Sequence, residues 1–187
     1  VYDADGNPVF NTFVDRNNDG VISDADRYYY YKPDPDVTMG MAHKFIYKNW
    51  DLGFTMRASL GNYVYNNILS GSMNTGKGSI YSLGYLSNRL TDALSLGFDG
   101  TGNEAFSDMF VQNASFLKMD NITLGYSFNN LFKCGNYAGV GGRVYATVQN
   151  VFTITNYKGI DPEVQNGFDS NMYPRPFQVI FGVNLTF

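Results

Sequence analysis

The sequence is 187 residues long and carries 13 Lys and Arg against 17 Asp and Glu, a net charge of −4 with no basic cluster, which argues against a nucleic-acid partner. Charged residues make up 16%, well below the roughly 25% of soluble proteins, whereas aromatic residues reach 17%, nearly all Tyr and Phe, beside 20 Gly; this is the balance of an all-β protein, and particularly of a membrane barrel with aromatic girdles. No stretch approaches the 18 or so consecutive apolar residues of a membrane helix, the absence of a signal-peptide pattern fits a mature form or a fragment, and the single Cys134 excludes an internal disulfide and a cysteine-based metal site.

Residues 1–36 are polar and rich in turn-forming steps, and they read as an extracellular loop. Within them lies D-R-N-N-D-G-V-I-S-D-A-D (15–26), which has the spacing of an EF-hand-type calcium loop. Asp15, Asn17 and Asp19 stand at positions one, three and five, and Gly20 supplies the sharp turn at six. Val21 offers its carbonyl at seven, Ser23 stands at nine and Asp26 at twelve. A hard cation such as Ca²⁺ takes six to eight oxygen ligands, and each ligand position here holds an oxygen donor, with Ile22 expected to turn inward as an anchor. Asp in place of Glu at position twelve, between flanks that do not look helical, points to a structural site of weak affinity, on the order of 10⁻⁴ to 10⁻³ M. The competing reading is an acidic turn without an ion.

Alternation of apolar and polar residues, the signature of a strand with one apolar face, begins at Val37. Met39, Met41, His43, Phe45 and Tyr47 share a face, with Ile46 a misfit on the other. After a tight turn at Lys48 and Asn49, Trp50, Leu52, Phe54, Met56, Ala58 and Leu60 alternate strictly with Asp51, Gly53, Thr55, Arg57, Ser59 and Gly61. Charged and small residues on that second face suit a barrel lumen rather than a sandwich core. Asp51 and Arg57 are therefore candidate substrate contacts, with packing within the wall as the favoured reading for each. The lone His43 makes no metal site by itself.

Residues 66–110 show no sustained period and read as a long loop. Alternation returns near Ser115 and is clean from Ile122 through Leu124, Tyr126 and Phe128, but Leu117 and Met119 lie in the opposite phase. The spacing predicts a bulge between Lys118 and Asn121, or a strand top standing above the membrane. A Gly- and Asn-rich turn over 129–142 leads to a strand at 143–152, which places Tyr145 and Gln149 on the lumen side as further candidates. A polar loop follows, and the last strand, F-Q-V-I-F-G-V-N-L-T-F (177–187), has Ile180 as its one misfit and ends on Phe187. Its predicted neighbour is the 143–152 strand.

The connections alternate long and short, and Tyr47, Trp50, Tyr126, Phe128 and Phe187 collect at the short-turn end, where the periplasmic aromatic girdle of a barrel belongs. The expected architecture is an antiparallel transmembrane β-barrel segment over 37–187, preceded by the calcium-loop segment 1–36. A second reading is a secreted, calcium-stabilised β-sandwich that binds glycans through its Tyr- and Asn-rich loops. Among the described motifs no catalytic pairing stands out, so an enzyme is not expected.

Several motifs in order, D-R-N-N-D-G-V-I-S-D-A-D-R (15–27), Y-K-N-W-D-L (47–52), A-S-F-L-K-M-D-N-I-T-L-G-Y-S-F (114–128), V-Q-N-V-F-T-I-T-N-Y-K-G-I-D-P-E-V (148–164), Y-P-R-P (173–176) and F-G-V-N-L-T-F (181–187), resemble the C-terminal part of the SusC/RagA family of TonB-linked outer-membrane proteins. The resemblance implies the last five strands of a 22-stranded barrel with a plugged lumen, the remaining strands coming from a longer polypeptide. It implies TonB-driven import of large nutrients, oligosaccharides or peptides, across the outer membrane of a Gram-negative bacterium. A SusD-like surface lipoprotein would act as lid, with a dimer of transporter–lid pairs as the assembly, and the terminal Phe187 would be the signal read by the outer-membrane assembly machinery.

Overall fold

A computed structural model describes residues 1–9, 12–73, 81–82, 85–86, 91, 107–129, 139–170 and 172–186. The chain forms two compact units that interleave along the sequence: one comprises residues 1–34, 62–113 and 157–172, the other 35–61, 114–156 and 173–187.

The second unit is a five-stranded antiparallel sheet. Its strands are β1 (Val37–Tyr47), β2 (Trp50–Leu60), β7 (Phe116–Phe128), β8 (Gly141–Thr155) and β9 (Gln178–Thr186), in the order β1-β2-β7-β8-β9. Every predicted strand is present. β8 is longer than the alternation suggested, and it pairs with β9 as expected. The two-residue turn between β1 and β2 places Lys48 at φ +52°, the left-handed conformation that tight hairpins require.

Register then carries the pattern of each strand across the sheet. Tyr47, Trp50, Tyr126, Val144 and Val183 form one row on the apolar face, and Phe45, Leu52, Leu124, Ala146 and Phe181 form the next. This face is uncovered: Phe181 is 80% exposed, and Met39, Phe45, Trp50, Val179 and Leu185 are all exposed. Leaving a large apolar side chain in water forfeits about 1.5–3 kcal/mol. Summed along five strands, that exceeds the roughly 5–15 kcal/mol by which a domain is stable. A sandwich would bury this face in its core; a membrane barrel presents it to hydrocarbon.

The phase reversal in β7 is a bulge at Asp120. Thr55 of β2 faces Asn121 and Met56 faces Met119, so one β7 residue is left over, and the β7–β8 register also shifts there. With that extra residue, Met119 and Leu117 rejoin the apolar face as neighbours of Met56 and Ala58, and of Phe152 and Ile154 on β8. Asn150, opposite the bulge, takes φ +52° and donates from Nδ2 to the Pro176 carbonyl at 2.8 Å. The misfits Ile46 and Ile180 do lie on the polar face, in register with Asp51 and Thr147.

In the first unit the described residues within 62–113 hold short elements, around and within the stretch 66–110 that the missing period suggested was a loop. β3 (Tyr63–Tyr65) pairs with β6 (Val111–Asn113), and β4 (Tyr81–Ser82) with β5 (Tyr85–Leu86). A short helix, α1 (Asn67–Met73), starts where the Asn66 side chain accepts from the Leu69 N–H at 3.0 Å, a side-chain cap. Phe110, fully buried, and Leu69 form its small core with Tyr65 and Met109 around them. Such elements are too short to show a period.

Candidate functional site

Two groups of polar residues were singled out from the sequence, the loop at 15–26 and the polar face of the sheet. In the loop, Gly20 stands at φ +80°, which a residue with a Cβ adopts only with strain. Its N–H donates to Asp15 Oδ2 at 2.8 Å, the Asp19 N–H donates to Asn17 Oδ1 at 3.0 Å, and the Val21 N–H to Asp19 Oδ1 at 2.8 Å. Asp26 closes the loop, because its Oδ1 accepts from the Arg16 N–H at 2.9 Å and its Oδ2 from the Ser23 N–H at 2.8 Å. Ser23 itself caps the 3₁₀ turn Asp24–Asp26, so its hydroxyl accepts from the Ala25 N–H at 3.2 Å.

These backbone donors, chiefly that of Ser23, hold the Asp26 carboxyl below its ordinary pKa and keep it ionised. The Asp15 carboxyl lies within hydrogen-bond reach of it, yet Asp15 Oδ1 is buried with no hydrogen-bond partner. A buried carboxylate oxygen without a donor is costly, and its placement beside a second carboxylate fits a cation. The oxygens of Asp15, Asn17, Asp19 and Asp26 would hold it, with the Val21 carbonyl and Ser23 completing the set proposed from spacing. Among the described residues no group of three or more His, Cys, Asp or Glu side chains is gathered for a metal, the three aspartates of this set included. Ile22 is 51% exposed and does not turn inward. In a paired EF-hand that residue packs against a second loop, and the described residues supply none here.

The loop is tied onward through Arg16, whose guanidinium lies 3.4 Å from the centre of the Tyr28 ring. Tyr28 in turn donates its hydroxyl to Asp108 Oδ2 at 2.6 Å. Asp108 begins the 3₁₀ turn that carries the buried Phe110. Neither Arg16 nor Asp108 was singled out from the sequence, since the link spans 80 residues and has no local signal.

On the polar face the structure gives the candidates partners within the wall. Arg57 makes a two-pronged pair with Asp120, Nε to Oδ2 at 2.5 Å and Nη2 to Oδ1 at 2.9 Å. The bulge is what turns Asp120 onto this face. Asp51, 9% exposed, receives Nε and Nη2 of Arg143 at 2.8 and 2.5 Å. That guanidinium reaches from β8 across β7 by passing over Gly125, where a Cβ would collide with Arg143 and come within 2.6 Å of Asp51 Oδ1. Tyr145 lies flat over Gly182 of β9, with the Arg143 guanidinium 5.0 Å from its ring. Thr123 and Thr147 share a hydrogen bond of 2.8 Å, and Gln149 stands in a row with Asn121 and Gln178. Asp120 and Arg143 were not singled out from the sequence, because each meets its partner only through register across the sheet. Phe187 and Cys134 lie outside the described residues.

His43 keeps to the apolar face, its ring 5.1 Å from Phe45 and 6.1 Å from Phe54 in stacked geometry. With one face for hydrocarbon, one face of paired charges, hydroxyls and amides, and an aromatic row at the short-turn rim, the sheet is a wall segment of a transmembrane β-barrel.

Comparison with known proteins agrees. No family model matches the chain. It is 52% identical over all 187 residues to the TonB-dependent receptor SusC of Bacteroides thetaiotaomicron, of which it covers 18%. It is 27% identical over 199 residues to the TonB-dependent receptor P3 of Formosa agariphila, covering 98% of this chain and 20% of that one. The RagAB peptide importer in its closed-closed state superposes with a TM-score of 0.71 at 28% identity, covering 100% of this chain and 20% of its counterpart. The chain belongs to the SusC/RagA family of TonB-linked outer-membrane proteins and corresponds to a C-terminal part of one. It spans about a fifth of the length of the relatives it matches. Those relatives are receptors and importers, not enzymes.

Proposed function

We propose that this chain is the C-terminal wall of a TonB-dependent importer in the outer membrane of a Gram-negative bacterium, taking up oligosaccharides or peptides. The observation that carries this reading is the five-stranded sheet with an uncovered apolar face and a paired polar face, at 52% identity to a TonB-dependent receptor. The remaining barrel strands and a plug would come from the native polypeptide, a SusD-like lipoprotein would cover the outer opening, and the TonB complex would supply force. Segment 1–36 and the other long connections would face the exterior.

Asp51 and Arg57 then serve first as wall ties, since each is already held by a two-pronged partner. Tyr145 and Gln149 remain the better candidates for substrate contact. Uptake of labelled oligosaccharides or peptides by cells carrying the native polypeptide should stop when TonB is deleted; uptake that continues at the same rate would overturn the importer reading.

Phe187 is proposed as the assembly signal. Removing it should lower the amount of folded barrel in the outer membrane severalfold, as read by heat-dependent mobility in gels, and an unchanged yield would remove that role. We further propose that residues 15–26 bind Ca²⁺. The ion would neutralise the facing Asp15 and Asp26 carboxylates, engage the oxygen that has no donor, and brace the segment against partner docking by lowering its ordering cost.

A further inference from the structure

The apolar face of the sheet is not uniform. Ala146 sits between Leu124 and Phe181 in its row, with Trp50, Tyr126 and Val144 in the row toward the short turn. Around this methyl group, among larger side chains, the face has a shallow, wide-open depression of about 380 Å³, whose lining is almost wholly apolar. The Trp50 and Tyr126 rings, 4.8 Å apart between centres, wall it on the rim side. Both are amphipathic rings of the kind that settle at the level of lipid headgroups.

Beyond them the turn that leads into Trp50 carries Lys48, whose ammonium stands 5.4 Å from the centre of the Tyr47 ring. Tyr47 is in register with Trp50. Depth along the strand therefore runs from a cation, through an aromatic rim, to an apolar hollow. That is the order of charge and polarity in an anionic phospholipid of the periplasmic leaflet, with its phosphate outermost and its acyl chain within.

We infer that this recess is a binding site for one acyl chain of an anionic glycerophospholipid, held in place of ordinary exchanging lipid, with Lys48 meeting the phosphate. The inference rests on the barrel-wall reading of the apolar face, and is independent of whether the protein imports nutrients.

The test is native mass spectrometry of the native polypeptide, purified in detergent and exposed to phosphatidylglycerol or phosphatidylcholine. The unaltered protein should retain phosphatidylglycerol through a detergent wash that strips phosphatidylcholine. Ala146→Leu fills the hollow and should cut retention about tenfold, because several methylenes lose their apolar contacts. Lys48→Gln should leave the hollow intact and abolish the preference for the anionic lipid. Heat-dependent mobility reports whether each variant has formed a barrel, and if Ala146→Leu has not, the headgroup preference of Lys48→Gln decides the matter alone. Equal retention of the two lipids by the unaltered protein, or undiminished retention by a folded Ala146→Leu, would overturn the proposal. So would a second copy of the barrel found bound in the lipid's place and lost with Ala146→Leu. Failure of the heat-dependent mobility itself would instead count against the barrel-wall reading.

Discussion

Chelation of calcium should speed proteolytic cleavage within residues 15–26 of the native polypeptide by about tenfold, taking a dissociation constant on the order of 10⁻⁴ M against roughly 1 mM calcium, which stabilises the bound form by about 1.4 kcal/mol. The Asp15→Ala, Asp19→Ala double variant should be cut as fast in calcium as the unaltered protein is in chelator. The reason is local: the Asp15 and Asp26 carboxyls lie close to one another, one oxygen of Asp15 is buried without a donor, and a bound cation would relieve both. The effect should spread past the loop, because Arg16 stacks on Tyr28 and Tyr28 is bonded to Asp108. Protection of the turn Asp108–Phe110 should therefore fall as well. Cleavage rates that do not change with chelator would leave the acidic-turn reading in its place.

The second large effect is expected at the Asp51–Arg143 pair. Arg143→Ala strands a carboxylate that is mostly shielded, and should destabilise the folded barrel by about 2–3 kcal/mol, toward the lower end of what breaking a buried pair costs because the guanidinium is partly exposed. Gly125→Ala should reproduce much of that loss without touching either charge, since the new methyl occupies the path of the guanidinium. Asp51→Ala combined with Arg143→Ala should cost less than the two single changes together, with a coupling of about 1–2 kcal/mol. Urea unfolding of the reconstituted barrel measures all four. Additive single effects would show that the two residues do not act as a pair.

The sheet was legible because its information is local. Strict alternation in 50–60, and alternation broken only by Ile180 in 178–186, fixes both faces of β2 and β9 from the strands alone, and the two residues Lys48 and Asn49 fix the β1–β2 hairpin. The bulge in β7 was legible for the same reason, as two phases of one strand that do not meet. What the sequence did not disclose depends on register between strands distant in the chain. Arg143 meets Asp51 across 92 residues, and Arg57 meets Asp120 across 63, so neither partnership leaves a local trace. The calcium-loop spacing was readable residue by residue, but the exposure of Ile22 was not, because an anchor is inward only when something else is there to receive it. The elements within 62–113 escaped because β3, β6 and α1 are shorter than the window in which a period can be recognised.

The leftover residue in β7 also sets the parity of everything that precedes it in that strand. With Asp120 in place, Leu117 and Met119 meet hydrocarbon while Lys118 stays on the polar face beside Arg57. Were every β7 residue paired one to one with no bulge at Asp120, Lys118 would face the lipid and Met119 the interior, and a cation on the lipid face costs about 2–4 kcal/mol at the membrane midplane. Removing Asp120 alone would close the bulge and keep both faces as they are, so its cost is the loss of the two-pronged partner of Arg57 rather than an exchange of inside and outside.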